Sequence, residues 1–361
     1  MATVTKSIGT NSRDYSTISA WEADLANSAI YSSGDEAVGE CYNDSTFDEA
    51  FNIDDTGPAF GLSSITLKAN SSDKHDGTPD SGVKITYSGS FSEYSPVFKV
   101  SYTQATYGSN LVKIEDLEFA DITISTDTNV AVIGLGVNCT IMSRCLINNI
   151  VHAGAGNRTF YVFGGEGQNG STIQNTMIFN CGKTATGSSS IGRVQALNSN
   201  SAAVYKNLTI HSMYDNTPTA ASFGGFKGTY TNTIITGCDF DFRSQTGSSS
   251  NYNLSSDSTA FGANSRTNIS THRIYVSTTK GSEDLHLKDG SPALRKGQNI
   301  GTSNDVQKDI DGVDRDTSGS VDWDIGAHQC GSCSISLQNK ALIGKMKLNS
   351  TGLGSFSITG D

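Results

Sequence analysis

The residues best suited to chemistry lie at 238–243, where acidic, aromatic and basic side chains alternate as Cys-Asp-Phe-Asp-Phe-Arg. In an extended strand Asp239, Asp241 and Arg243 point to one side, and the two Phe side chains point to the other. Neighbours on one face of a strand lie about 7 Å apart, which is compatible with the carboxylate pairs of glycosidases. One interpretation is an acid, a base and a stabilising cation acting on a glycan. The other is a solvated face whose charges neutralise each other while the Phe side chains pack inward.

A second group of candidate ligands is acidic. Residues 309–324 contain six Asp, and such a density suits Ca²⁺, which takes about six to eight oxygen ligands. Asp314, Asp316 and Asp322 are the candidate ligands, because the order from Asp314 imitates the start of a calcium-binding loop. The twelfth position of that loop is Ile325, where a bidentate Glu is usual. The alternative is that these side chains close turns by accepting backbone hydrogen bonds. No other cofactor is indicated.

The Cys and His residues give weaker signals. Seven Cys is an odd number spread along the chain, so a disulfide framework is not expected. Cys330 and Cys333 form a lone C-x-x-C without the second pair of a zinc ribbon or the βαβ context of a redox site. We interpret them as small thiols in a turn, and we expect free thiols at Cys181 and Cys238 as well. The six His never lie at the sequence spacing of a metal site.

Composition excludes several classes of protein. With 36 acidic and 25 basic residues the formal net charge is -11, which argues against binding a nucleic-acid backbone. No apolar stretch is long enough to cross a bilayer. The first residues lack the apolar core of a signal peptide. Either the protein is made and kept in a cytoplasm, which is the simpler interpretation, or a signal peptide has been removed. Neither nucleic acid nor a membrane is expected as partner.

The middle of the chain repeats weakly, and this repeat predicts the fold. An apolar residue recurs at intervals of 20 to 32 residues, at Leu117, Cys145, Met177, Leu208, Ile234 and Leu254. Small or turn-forming residues follow four positions later, at Asp121, Asn149, Cys181, Ser212 and Cys238. A unit this short cannot bury its own apolar side and must stack on copies of itself. The sequence therefore predicts a solenoid of strands and turns.

The two ends differ from the repeats. Ser19 and Glu22 match a capping box, and the short helix that follows presents Trp21 and Leu25 on one face, as a plug for the solenoid. Four regions are predicted: an N-terminal segment with the capping helix at 1–45, β-helix rungs at 46–280, C-terminal rungs at 281–329, and a tail at 330–361. The tail is too short to form its own core, so we expect it to dock on another chain.

Two parts of the chain resemble known proteins. The stretches 285–294, 309–315 and 322–328 resemble the C-terminal signature of right-handed β-helix proteins, including D-I-D-G and D-I-G-A. His328-Gln329 replaces the aromatic–Glu pair that is usual there. The opening, 8–42, resembles β-helix proteins encoded among the structural genes of tailed bacteriophages. The resemblance implies a right-handed parallel β-helix, all-β and pectate-lyase-like, with a capping helix and a C-terminal appendage. It implies no catalytic residue.

Three functions are compatible with these features. The leading hypothesis is a bacteriophage virion structural protein, a β-helical capsid decoration or a fibre or tail-spike component that contacts host glycans. Its expected partners are other capsid or tail proteins, reached through the tail, further copies of itself, and surface polysaccharide. The alternative is a polysaccharide lyase or glycoside hydrolase that uses Asp239, Asp241 and Arg243. The third is a glycan-binding adhesin without turnover. The missing catalytic set and signal peptide favour the first.

Overall fold

The chain folds as a stack of parallel strands. The computed structural model describes residues 2–54, 61–101, 111–136, 140–154, 158–164, 170–184, 193–198, 203–216, 221–243, 249–302, 306–319 and 322–331, and the strands at 346–349 and 357–360. Three parallel sheets of eight, seven and eight strands form the sides of the stack, and neighbours within a sheet come from successive coils. The predicted parallel β-helix is thereby confirmed.

Each coil contributes one strand to each sheet. Sheet A contains β1 (Thr3–Ile8), β2 (Glu36–Cys41), β5 (Ser64–Ala69), β8 (Leu111–Glu115), β11 (Thr140–Ser143), β14 (Thr172–Gln174), β17 (Val204–Lys206) and β20 (Thr229–Thr231). Sheet B contains β3 (Phe47–Asp48), β6 (Lys84–Thr86), β9 (Glu118–Ile124), β12 (Leu146–His152), β15 (Met177–Lys183), β18 (Thr209–Asp215), β21 (Ile234–Thr236) and β23 (Leu254–Ser255). Sheet C contains β4 (Phe51–Ile53), β7 (Phe98–Val100), β10 (Val130–Gly134), β13 (Phe160–Phe163), β16 (Arg193–Asn198), β19 (Ala221–Phe226) and β22 (Phe240–Arg243).

The recurring apolar residues that the sequence predicts as one column belong to two adjacent columns of sheet B. In sheet B, Leu146 pairs with Met177, and Ile234 pairs with Leu254. Cys145 therefore lies one position before the column that contains Met177, and Leu117 and Leu208 are displaced in the same way. A shift of one residue turns a side chain to the other face of a sheet. The displaced residues lie inside the coil, whereas Met177 and its column lie outside it. Since both faces of sheet B are apolar, hydrophobicity alone could not fix the register.

Residues with positive φ bend the chain at the predicted turn positions. Asp121, Asn149 and Ser212 have φ between 50° and 57°, a conformation that short polar side chains tolerate better than others. In two coils the bending residue is one position earlier than predicted, at Asn180 and Gly237. A second column of such residues forms the corner between sheets A and B, at Asp116, Arg144, Asn175, Asn207, Asn232 and Tyr252.

The N-terminal helix packs on the first coils. Helix α1 (Ile18–Ala23) continues into a 3₁₀ turn (Asp24–Ala26), and Trp21 and Leu25 are buried in the main core, as predicted. The cap is wrong by two residues. The Thr17 hydroxyl accepts the Ala20 amide, while the Ser19 hydroxyl donates to Glu49 at 2.6 Å. The contact with Glu49 therefore engages the Ser19 side chain, which the sequence predicts as the helix cap. Among the described residues, no helix is both long and apolar enough to cross a bilayer.

The segment after the last coil folds back along the outside of sheet B. It begins with a 3₁₀ turn (Thr271–Arg273) and an antiparallel pair, β24 (Tyr275–Thr279) and β25 (Ser282–Leu287). We call residues 271–331 the flank cap. The sequence predicts rungs at 281–329, but no described strand of this segment joins the three parallel sheets. The apolar outer columns of sheet B explain the difference, because they offer a surface that the segment buries instead.

The resembled signature forms the contact of the flank cap with sheet B. Ile325 and Ala327 are buried in one cluster with Met177 and Ile234. A Cβ at Gly326, where φ is 106°, would lie 2.8 Å from the Ile234 side chain, so glycine is required for this approach. The tail beyond residue 331 is described only at β26 (Met346–Asn349) and β27 (Ser357–Gly360), an antiparallel pair. Its docking on another chain stays a prediction.

Candidate functional site

The outward side of sheet A and its corner with sheet B carry charges that pair with each other. Lys68 Nζ lies 3.2 Å from Glu40, and Arg144 Nε lies 2.8 Å from Asp116. Arg144 also lies 3.3 Å from Glu115. The Lys68 pair is partly exposed and Arg144 is buried, and in both cases the acidic partner leaves little excess charge for a ligand. This side is not the candidate site.

The corner of sheet B is sealed by a ladder of buried Asn side chains. The Asn207 amide donates to Asn175 at 2.9 Å and to the Val306 carbonyl at 3.2 Å, and Asn232 donates to Asn207 at 3.0 Å. Asn232 also donates to the Gln298 carbonyl at 2.7 Å. The ladder therefore joins successive coils and also ties the flank cap to them. Sheet B has no outward face left for a ligand here.

The outward side of sheet C carries an aromatic column. Tyr161, Gln195, Phe223 and Phe240 pair in succession across β13, β16, β19 and β22. The rings of Phe223 and Phe240 stack at 5.6 Å, but Phe223 is only 1% exposed, whereas Phe240 is 46% exposed. Burial raises the pKa of the Tyr161 hydroxyl, and the nearby Tyr94 raises it further. Tyr94 itself is 51% exposed. Within the column, Gln195 is buried and its Oε1 meets no donor among the described residues.

A second outward column runs beside the first. Lys99 pairs with Gly134 at one end, and Asn198, Phe226 and Arg243 pair in succession at the other. Gly164 lies between the two ends, and its amide donates to the Ile133 carbonyl. Neither glycine adds a side chain, and Pro96 packs against Gly134. The Arg243 guanidinium lies 4.3 Å above the Phe223 ring, so it rests on the aromatic column. Rings, an amide and cations thus share one face.

A cleft lies at the N-terminal end of this face. Its volume is about 400 Å³, within the range of small-molecule sites. Its polar lining consists of Ser19, Asn52, Ser90, Ser92, Ser95 and Lys99. Tyr94 belongs to the same loop as three of these Ser residues. The cleft therefore supplies hydroxyl and amide groups next to the aromatic column. We call the cleft and the two columns the sheet C face.

The predicted acid pair does not share a face. Strand β22 begins only at Phe240, and Asp241 is fully buried instead of facing solvent. Its carboxylate accepts the amides of Cys238, Ser256 and Asp257 at 3.2, 2.6 and 3.1 Å. Burial, and then the charge of Asp257, raise the pKa of Asp241 to about 6, against the Ser256 hydrogen bond. Asp241 therefore closes a turn, and a glycan cannot reach it.

The other two residues of that set remain near the surface. Asp239 is exposed, and its Oδ2 accepts the Ser222 amide at 2.8 Å and the Ser222 hydroxyl at 3.0 Å. Arg243 belongs to the sheet C face through its contact with Phe223. Alternation fails inside β22, because the consecutive residues Asp241 and Phe242 are both buried while Phe240 is exposed. One of the three predicted residues thus belongs to the candidate site, as a cation without the acid pair.

The predicted calcium ligands are not brought together. Asp314 lies 3.2 Å from Lys308, and Asp316 accepts the Ser318 amide and hydroxyl. Asp322 is exposed. Among the described residues, none of the three belongs to a cluster with the spacing of metal ligands. The alternative interpretation is confirmed for Asp316, whose side chain closes a turn.

The buried Asp residues of the signature likewise bind backbone amides. Asp309 accepts the amides of Val313 and Gln329 at 2.8 and 3.0 Å, and Asp324 accepts those of Arg295 and Cys330 at 2.6 and 2.7 Å. Arg315, also buried, donates to three carbonyls at Asp324, Gly326 and Ala327. Burial lowers the pKa of Arg315 to about 10, against the charges of Asp309 and Asp324. The signature is thus a folding device of the flank cap.

One cluster was missed by the sequence. His286, Asp311 and His328 place a ligand atom each within 4.8 Å of one another. His286 Nε2 lies 3.0 Å from Asp311, and its Nδ1 lies 2.6 Å from Asp284. His328 Nε2 lies 3.8 Å from Asp311. The residues are distant in the chain, so no local spacing reveals them.

The hydrogen bonds of this cluster decide against a metal centre that uses both histidines. The Leu287 amide donates to His328 Nδ1 at 3.0 Å, so this nitrogen carries no proton. A metal on Nε2 would require the proton on Nδ1. His286, in contrast, donates from both nitrogens to carboxylates. Burial lowers its pKa, but Asp311 and Asp284 outweigh burial and raise it to about 9. Protonated His286 thus bridges Asp284 and Asp311 inside the flank cap, and we call this bridge the imidazolium clasp.

The cysteines are mostly inert. Cys181 and Cys238 are free thiols, as predicted, and so are Cys41 and Cys145. Burial raises the pKa of Cys145 and of Cys181 to about 12, so neither is a thiolate at neutral pH. Cys330 is disulfide-bonded instead of free, and its partner lies outside the described residues.

The sheet C face is the candidate site, because it alone combines exposed rings, polar groups and cations among the described parts of the three sides. Comparison of the chain with protein-family models, with curated proteins and with solved structures finds no match. The face is therefore interpreted from its own residues.

Proposed function

We propose that the chain is a non-catalytic structural β-helix that binds an extended glycan along the sheet C face, as a decoration, fibre or spike component of a bacteriophage virion. The accessible rings at the two ends of the aromatic column, Tyr161 with the nearby Tyr94 and Phe240, carry the glycan part of this proposal. Sugar rings have apolar C–H sides and hydroxyl edges. Aromatic side chains bind the former, and Ser, Asn and Gln groups bind the latter.

The shape of the face favours a polymer. Strands of a sheet lie about 4.8 Å apart, so the rings from β13 to β22 extend over about 14 Å along the axis. The cleft near Lys99 lies two strands beyond β13. A ligand that contacts both must be long and extended. A repeating chain of sugars fits this better than a compact metabolite does.

The use of the carboxylates supports a role without turnover. Glycosidases need two carboxyl groups that flank the scissile bond. At residues 239–241 one carboxylate is buried and the other is held by Ser222. The virion assignment is supported by the resemblance of the opening and of the C-terminal signature. A stack whose backbone bonds continue from coil to coil also suits a durable particle component.

The glycan part is tested by binding on a polysaccharide panel, with Phe240→Ala and Val276→Ala compared. Phe240 and Val276 are 46% and 55% exposed, but Val276 lies on β24 of the flank cap, away from sheet C. We expect at least one bound polysaccharide, about tenfold weaker binding for Phe240→Ala, and no change for Val276→Ala. Equal effects of the two substitutions would contradict the assigned face.

Two further measurements test the remaining parts. Incubation with the bound polysaccharide should release no new reducing ends and no unsaturated products, and release of either would show an enzyme. Mass spectrometry of purified virions should detect the chain as a stoichiometric component. Its absence from the particles would end the virion assignment and leave a free adhesin.

A further inference from the structure

Resting on the proposed glycan-binding function, we propose that the sheet C face selects an anionic glycan, whose carboxylates bind Lys99, Arg193 and Arg243. The chain as a whole is acidic, with 36 acidic against 25 basic residues. A neutral or acidic ligand face would therefore be the expectation from composition alone. The sheet C face departs from this balance.

The three cations point outward from sheet C. Lys99 lies between the buried residues Phe98 and Val100 of β7. Arg193 is exposed at the start of β16, next to the buried Val194. Within the described residues, none of the three cations forms an ion pair.

In the part of the chain that the structure describes, two acidic side chains near this face form hydrogen bonds with neutral partners and no ion pair with the three cations. The Asp239 carboxylate accepts from Ser222, and Glu93 accepts from the Asn129 side chain at 2.9 Å. On sheet A, in contrast, Lys68 has Glu40 as its partner. A chain with excess acid that leaves cations unpaired on one face presents a local site for anions.

The geometry of Arg243 suits a carboxylate. Its guanidinium lies 4.3 Å above the Phe223 ring and 6.0 Å from that of Phe240. Stacking fixes the plane of the guanidinium and leaves its N–H edge for a bidentate contact. An ammonium group could supply the charge but not this fork. The ring and the cation together therefore match a sugar that carries a carboxylate.

The spacing of the cations suits a repeating charge. Arg193 on β16 lies three strand steps from Lys99 on β7, and Arg243 on β22 lies two steps further. Arg193 belongs to a neighbouring column, five residues before Asn198 in the column of Lys99 and Arg243. These steps correspond to about 14 Å and 10 Å along the axis. A polymer with an acidic sugar in each repeat can meet all three cations at once, which multiplies weak contacts.

The test uses acidic bacterial polysaccharides, each paired with its carboxyl-reduced form, and binding is measured at low and at high NaCl. The variants are Arg243→Gln, Arg243→Lys and, as a matched loss of one cation on sheet A, Lys68→Gln. We expect an acidic polysaccharide to bind and its reduced partner to bind about tenfold more weakly or not at all. Added salt should weaken the binding of the acidic form.

The variants locate the effect. Arg243→Gln should weaken binding of the acidic form about tenfold, Arg243→Lys should lie between it and the parent, and Lys68→Gln should have no effect. Unfolding of each variant, followed by circular dichroism, confirms that the fold is kept. If Arg243→Gln does not fold, the Arg243→Lys variant and the reduced polysaccharides still decide the question.

The failures are distinguishable. Equal binding of acidic and reduced forms, or binding of neutral polysaccharides alone, would overturn the anionic selectivity and leave glycan binding intact. No binding to any polysaccharide would overturn both proposals. Aromatic rings with cations also suit single-stranded nucleic acid, so an oligothymidylate is included. Oligothymidylate binding as tight as that of the best polysaccharide would overturn the assignment to a glycan.

Discussion

The outer sides of sheets B and C begin from the same architecture and end with opposite surfaces. Both are parallel sheets built from successive coils. The outer columns of sheet B are apolar, and the flank cap covers them with residues such as Ile325 and Leu285. The outer columns of sheet C carry rings and cations, and Phe240 remains 46% exposed. The coil architecture therefore does not determine whether an outward side is buried or exposed.

The difference shows where specificity in a solenoid resides. Interior residues are apolar in every coil, because each coil must bury its inner side against its neighbours. The outward columns are free of that requirement. One set of outward residues therefore forms a second core with the C-terminal segment, and another stays open with exposed rings and cations. Substitutions at outward positions should separate the two roles.

The largest expected effect is that of Met177→Asp on the covered side. Met177 is fully buried between sheet B and the flank cap, so the substitution buries a charge without a partner and removes apolar contacts. We expect a loss of about 4 kcal/mol or more in the free energy of unfolding. Urea unfolding followed by circular dichroism measures it.

The matched control is Phe240→Asp, an outward position on sheet C. Its side chain can reach water, so we expect a loss below about 1 kcal/mol. Equal losses for the two substitutions would contradict the distinction between a covered and an open side.

The next effect concerns the ladder that ties the flank cap down. Asn207→Ala removes the bonds to Asn175, Asn232 and Val306 and places alanine at a φ of 51°. We expect a loss of about 3–5 kcal/mol in unfolding free energy. Asn207→Gly should lose about 1 kcal/mol less, since glycine accepts this φ.

Asn149→Ala is the control for the ladder. Asn149 has a φ of 50°, but its side chain bonds only to Asp121 near solvent. We expect a loss of about 1–2 kcal/mol, mostly from the backbone. The ladder would be shown to contribute nothing if Asn149→Ala and Asn207→Ala were equally destabilising.

The sequence predicted the fold because every coil repeats the same pattern. Apolar residues two apart and polar residues at the bends are local signals, and they identified Asp121, Asn149 and Ser212 as bends. The register was wrong at Met177, because sheet B is apolar on its inner and its outer face. A strand without alternating polar and apolar residues does not show which residues point inward. An Asn two residues before Met177 and Ile234 recurs in the sequence, and that signal could have revealed the ladder.

The candidate site was predicted only in part. Arg243 was identified, but on the assumption of regular alternation along the strand, which fails because Asp241 and Phe242 are both buried. Phe223 and Phe240 face the same side because they pair across neighbouring coils, a relation that depends on loop lengths. The contact of His286 and His328 likewise joins positions 42 residues apart. Such contacts depend on tertiary structure, which local patterns do not encode.

A smaller effect should appear with pH at the flank cap. The groups around His286 are Asp284 on its own strand, Asp311 and His328 across it, and the more distant Asp76. Its pKa is about 9 in the folded chain against an ordinary 6.5. A raised pKa means that the protonated form stabilises the fold fully below about pH 6.5, and that this is lost as the pH rises through 9.

His286→Gln tests this contribution, which is on the order of 2 kcal/mol. The melting temperature of the parent should exceed that of the variant near pH 6, and the difference should shrink between pH 7 and 10. His272→Gln, at an exposed position, should leave the difference near zero throughout. A constant gap between parent and His286→Gln across this range would refute the imidazolium clasp.

The smallest effect on stability is expected at the sheet C face. Phe240 and Phe242 lie on one strand, but Phe242 is only 2% exposed and packs in the main core. Phe242→Ala should therefore cost about 3–4 kcal/mol, whereas Phe240→Ala should cost less than about 1 kcal/mol, mainly from the lost stack on Phe223. Urea unfolding of the two variants measures both. Equal losses of stability at Phe240 and Phe242 would show that the outer ring contributes to folding as much as the inner one. The outward side of sheet C would then be an apolar surface that another part of the protein buries, and not a surface for a ligand.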